Sequence, residues 1–128
     1  MKVQLENVKP MDIEKRSFEI ITEELGYALP EKEAPIIKRC IHTSADFDYA
    51  ENLCFSEDVV EKALKALKNG ACIVTDTQMA KSGINKKALA KYGGEVYCFM
   101  SDEDVAETAK KNGTTRATAS MDKAAGMD

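Results

Sequence analysis

At 128 residues and a formal net charge of −4, the chain suits one domain with a real core; its acid excess argues against a nucleic-acid partner, which calls for basic charge to displace counterions from phosphates. Hydrophobic residues at 44% and charged residues at 31% exclude the composition of a disordered chain. There is no apolar run of about 18 residues and no charged-then-apolar leader, so the expected setting is cytoplasmic, with no membrane partner.

Met1 to Pro10 alternate loosely and read as an arm. Asp12 then caps a predicted helix to about Leu25, which Gly26 ends. Ile13, Ile20, Ile21 and Leu25, with Phe18 adjoining, form its apolar stripe, and Arg16 and Ser17 interrupt that stripe. An arginine there is either a surface group with its stem on apolar side chains or a charge kept for an anionic ligand. A second helix is predicted from about Glu31 to Ile41, with Pro35 in its first turn and Ile36, Ile37, Cys40 and Ile41 on its buried side.

Thr43 to Phe55 read as a loop with a short turn around Asp46 to Asn52. Ser56 caps a helix over Glu57 to Asn69, stopped by Gly70. The apolar runs Ala71 to Val74 and Val96 to Met100 read as strands of a parallel sheet, the first buried on both faces, with a helix near Asn85 to Tyr92 between them. Ser101 with Asp104 resembles a capping box for a helix to about Lys111, Gly113 stops it, and Thr114 to Ala117 open a last helix. The pattern is that of an open α/β sheet, whose ligands bind outside the C-terminal strand ends at Thr75-Asp76-Thr77 and Ser101-Asp102. Two strands are too few for such a sheet, which calls for further strands from elsewhere.

Four cysteines, Cys40, Cys54, Cys72 and Cys98, contain no Cys-x-x-Cys pair and read as small buried hydrophobes. No metal site is predicted, and no glycine-rich phosphate-binding pattern points to a nucleotide cofactor. The chemistry concentrates instead at Arg39-Cys40-Ile41-His42-Thr43-Ser44-Ala45-Asp46-Phe47-Asp48, which holds the chain's one histidine. Histidine can give and take a proton near neutral pH, and the C-terminal end of a helix suits one that donates.

This segment, with Thr75-Asp76-Thr77-x-Met79, Gly83-Ile84, Thr115-Arg116-Ala117 and Met121, resembles the precorrin-8X methylmutase family of cobalamin biosynthesis in order and spacing. The resemblance implies a single domain over residues 1–128 with a three-layer α/β/α fold and a mainly parallel sheet, incomplete in this chain. It implies a homodimer without a cofactor that moves a methyl group from ring carbon eleven to ring carbon twelve of a contracted tetrapyrrole, precorrin-8X or cobalt-precorrin-8. The residue matching the family's acid–base group is His42. The substrate's carboxylate arms and flat apolar ring call for arginines, hydroxyls and apolar surface. Arg16, Arg39 and Arg116, the only arginines, are the expected carboxylate partners. Ser17, Thr43, Ser44, Thr75, Asp76, Thr77 and Met79 complete the expected substrate contacts, with Thr43 and Ser44 holding either His42 or a side-arm carboxylate, and Asp76 either capping a turn or touching substrate. Family members continue further, with another strand, an Asn-Ala-Pro segment and a Gly-Gly-Ser stretch, so the alternative is a truncated, non-catalytic tetrapyrrole-binding module completed by a partner.

Overall fold

The computed structural model of the protein describes residues 6–127, so the part of the predicted arm from Met1 to Leu5 lies outside it. The residues form two compact units, one ending at Val60 and one beginning at Glu61. The first opens with a 3₁₀ turn, Pro10–Asp12, followed by α1, Ile13–Leu25, α2, Ala34–Ser44, and the short α3, Tyr49–Asn52. Gly26 closes α1 in the left-handed region at φ 68°, its N–H bonded to the Thr22 carbonyl, a conformation that a side chain would strain. Pro35 sits in the first turn of α2, where its missing N–H costs nothing.

The first core forms where α1 meets α2. Ile21, Ile37 and Ile41 are buried to 4%, 4% and 1% exposure, and Phe18, Leu25, Leu29, Phe47 and Leu53 pack around them. Ile37 and Ile41 lie one turn apart on one face of α2, as helical spacing requires. Burying three isoleucines contributes roughly 1.5–3 kcal/mol each, which holds two helices too short to be stable alone. The second helix starts and ends three residues later than predicted, so Thr43 and Ser44 belong to it rather than to a loop.

The next helix, α4, Val59–Lys68, spans the junction of the two units. The second unit then holds β1, Ile73–Val74, α5, Gln78–Gly83, α6, Lys86–Ala90, β2, Val96–Tyr97, α7, Glu103–Asn112, and α8, Arg116–Ala125. The strands pair in parallel, Ile73 with Val96 and Val74 with Tyr97. Both are shorter than predicted, and β1 is half-buried where burial on both faces was expected, because a two-stranded sheet leaves part of each face uncovered. The unpredicted α5 is started by Thr77, whose hydroxyl accepts from the Ala80 N–H. Gly94 lets α6 approach closely: a Cβ there would stand 2.7 Å from the Ala71 carbonyl oxygen and 2.9 Å from a Leu89 methyl.

The helix α7 is capped at Asp102, one residue beyond the predicted Ser101, and ends at Gly113 with φ 64°. Its buried Val105 and Ala109 meet Ala119 of α8, small side chains that let the two helices close together. Lys123 of α8 ties the pair, with Nζ 2.8 Å from Asp102 Oδ2 and 2.8 Å from Asp104 Oδ2, and 5.0 Å from the Phe99 ring centre. Only Cys98 of the four cysteines is fully buried; Cys54 and Cys72 are exposed, because their short segments leave one side uncovered.

Two predictions follow from these contacts. Ile41→Ala leaves a cavity under α1 and should cost about 2–5 kcal/mol in urea unfolding, with Ile41→Val costing about 0.5–1.5 kcal/mol. In the second unit, the hydrogen bond from Lys123 holds the Asp104 carboxyl below its ordinary value, and bonds to Asp102 and Asp104 raise Lys123. A lowered carboxyl stabilises the fold above the usual carboxylate range and ceases to do so as pH falls through its lowered value; a raised lysine stabilises at neutral pH and is lost only on the alkaline side. Lys123→Met should therefore lower the thermal midpoint at pH 7 and shrink the part of its decline between about pH 5 and pH 2 that Asp104 supplies.

Candidate functional site

Beside the first core, α1, α2 and the residues before the 3₁₀ turn enclose a cleft of about 510 Å³. Its walls are mainly apolar, from Val8, Ile13, Ile20, Ile21, Ile41 and Phe47, and its polar groups are His42, Ser17, Arg16, Glu6 and Glu24. That is the usual make-up of a small-molecule site, apolar walls with a few convergent polar groups. His42 is half-buried in the last turn of α2, one residue after the most buried isoleucine. Its Nδ1 lies 2.8 Å from Ser17 Oγ of α1. Phe18 and the imidazole meet in a T-shaped contact, ring centres 6.0 Å apart at 72°. Two consecutive residues of α1 thus fix one ring.

Arg16 Nε donates to Glu6 Oε1 at 2.8 Å, and its Nη1 lies 3.6 Å from Glu19. The hydrogen bond to Glu6 raises the guanidinium's pKa further and keeps it charged. Arg39 makes a two-pronged bond to Glu14, at 2.6 and 2.8 Å, and stands 5.5 Å over the Phe18 ring. It does not line the cleft. Both arginines already hold carboxylates, at exposed places where such pairs are weak and can exchange.

Three residues singled out from the sequence, Arg16, Ser17 and His42, therefore come together in one cleft. Thr43 and Ser44 do not hold the histidine. Thr43 Oγ1 donates back to the Cys40 and Arg39 carbonyls, and Ser44 Oγ donates to the Cys40 carbonyl while accepting from the Asp46 N–H. Both hydroxyls bond back to carbonyls of their own helix, the local pattern of serine and threonine inside helices. Ala45 follows in the left-handed region at φ 58°, a strained turn at the rim of the cleft.

In the second unit, Thr75 is buried, with Oγ1 donating to the Thr77 carbonyl, and Thr77 caps α5. Capping therefore belongs to Thr77, and Asp76 is left exposed. Met79 is 83% exposed, and Arg116 is exposed in the first turn of α8, behind the Thr115 cap. Sequence reasoning missed Glu6, Val8 and Phe47 as cleft residues: the first two lie in a segment without clear periodicity, and the third follows a turn whose path is not encoded locally.

A model of the family described as precorrin-8X methylmutase matches residues 12–128. The chain belongs to the precorrin-8X methylmutase family. It is 45% identical over 118 residues to the cobalt-precorrin-8 methylmutase of Priestia megaterium, covering 91% of this chain and 52% of that protein. It is 46% identical over 121 residues to the Salmonella typhimurium cobalt-precorrin-8 methylmutase, covering 89% and 57%. The crystal structure of a precorrin-8X methyl mutase from Thermus thermophilus superposes with a TM-score of 0.75 at 34% identity, over 88% of this chain and 55% of that one. The chain spans about half the length of these relatives, and the α/β fold expected from the family is present as an incomplete one, mostly helical with a small parallel sheet. Among the described residues, no helix is long and apolar enough to cross a membrane.

Proposed function

We propose that this chain carries the histidine-bearing part of an isomerase that moves a methyl group from ring carbon eleven to ring carbon twelve of cobalt-precorrin-8, within one domain over residues 1–128. The observation that carries this reading is the single histidine set beside an arginine in an apolar cleft. Family membership supports the reaction, and the names of the relatives at 44–46% identity, all cobalt-precorrin-8 methylmutases, favour the cobalt-containing substrate. A relative named precorrin-8X methylmutase, from Sinorhizobium, stands at 34%.

An intramolecular methyl shift needs no external nucleophile or leaving group; a general acid that protonates the conjugated ring, plus positioning, suffices. His42 is the acid. The apolar walls take the face of the macrocycle, and Arg16 takes a side-arm carboxylate in exchange for Glu6. Arg39, Thr43, Ser44, Thr75, Asp76, Thr77, Met79 and Arg116 are proposed as further substrate contacts, with homodimer formation and a cytoplasmic setting as the family resemblance implies. The product is the cobalt-containing counterpart of hydrogenobyrinic acid.

The share of the relatives that the chain covers favours a second reading, a module that holds the tetrapyrrole while another polypeptide completes the site. The test is a visible-absorbance titration with hydrogenobyrinic acid together with a turnover assay on cobalt-precorrin-8. His42→Ala should cut turnover at least about 100-fold while binding stays within a few-fold, and Arg16→Gln should weaken binding about tenfold, the scale of one charge-assisted hydrogen bond. Undiminished turnover by His42→Ala overturns the isomerase reading; binding without turnover by the unaltered chain supports the module.

A further inference from the structure

We infer that Ser17 is not a substrate contact but the residue that positions His42: its hydroxyl engages Nδ1 in each protonation state and so reserves Nε2 as the nitrogen that exchanges a proton with a molecule in the cleft. The inference rests on the functional reading of the cleft given above. The distance of 2.8 Å between Ser17 Oγ and His42 Nδ1 is that of a full hydrogen bond, and it joins two helices held together by the isoleucine core.

The chemistry of the partner decides what the bond can do. A hydroxyl both donates and accepts, so it stays bonded whether Nδ1 carries a proton or not. A carboxylate in that place would favour the protonated ring and resist its discharge. The cleft has carboxylates in Glu6 and Glu24, but the group bonded to Nδ1 is the neutral serine.

The placement of Ser17 within α1 points the same way. A serine or threonine inside a helix can return its hydroxyl to the carbonyl four residues back, as Thr22 does in this helix by donating to the Phe18 carbonyl at 2.7 Å. Ser17 instead reaches across to α2. Phe18, the next residue, makes a T-shaped contact with the same imidazole, so α1 constrains both the ring's orientation and one of its nitrogens.

Proton transfer then proceeds without breaking the bond. In the imidazolium, Nδ1–H donates to Ser17 Oγ and Nε2–H faces the ligand. The Nε2–H bond breaks, its electron pair stays on Nε2, and the proton forms a new bond to a basic atom of the conjugated ligand. The neutral ring keeps Nδ1–H on the same serine oxygen, ready to be recharged at Nε2 from solvent.

The experiment uses the fact that His42 is the chain's one histidine, which makes both ring nitrogens individually readable. Alkylation with bromoacetate, followed by hydrolysis and separation of the two carboxymethylhistidine isomers, reports which nitrogen is accessible. Nitrogen-15 spectra of the labelled ring report the bond to Nδ1. The unaltered chain should be alkylated at Nε2; Ser17→Ala should raise the Nδ1 share about fivefold, the size expected for one lost hydrogen bond, and move the Nδ1 resonance. Ser17→Thr, which keeps the hydroxyl, should restore both. Equal isomer ratios and unmoved resonances in Ser17→Ala, or preferential alkylation of Nδ1 in the unaltered chain, overturn the inference. Neither readout needs substrate or turnover, so failure here is distinguishable from failure of the isomerase reading.

Discussion

The site depends on the packing of α1 against α2. Ser17 lies one helical turn before Ile21 on the same face of α1, and His42 directly follows Ile41 on the neighbouring side of α2, so the polar pair borders the core. A hydrogen bond of 2.8 Å tolerates little displacement. The close packing of Ile21, Ile37 and Ile41 supplies that rigidity, because a filled interior has few alternative arrangements at low cost. The apolar contact comes first, and the polar contact inherits its geometry.

Charge in the cleft is arranged for exchange rather than storage. Arg16 in the cleft and Arg39 outside it are each paired with glutamates, and neither is deeply buried. Buried ion pairs are costly to break, whereas exposed ones are worth little and can give way to a ligand carboxylate. The histidine, by contrast, is held by a neutral hydroxyl and a T-shaped aromatic contact. An arginine in exposed ion pairs beside a histidine bonded to a neutral hydroxyl suits the proposed chemistry on a polycarboxylate ring.

Helix existence and polarity were legible from local signals. The stripe of Ile20, Ile21 and Leu25, the stop at Gly26, Pro35 in a first turn and the stop at Gly113 each correspond to an observed boundary within a few residues. The misses share a cause. Thr43 and Ser44 read as loop because polar residues follow Ile41, yet α2 continues through Ser44, with both hydroxyls bonded back to carbonyls of the same helix. The α5 helix was passed over because its start depends on the Thr77 side chain, at a place where the sequence shows no apolar period.

The sequence by itself determined the family, the α/β alternation and the identity of the one histidine, because these follow from residue types, their order and short-range periodicity. Only the tertiary structure decided which hydroxyl holds that histidine. The sequence offers Thr43 and Ser44 as holders of the ring, but these two, on the same helix end as His42, bond to their own backbone, and Ser17, 25 residues away, faces the ring across the helix interface. Partnership at that separation is set by how two apolar stripes dock, and no local rule in the chain encodes the docking.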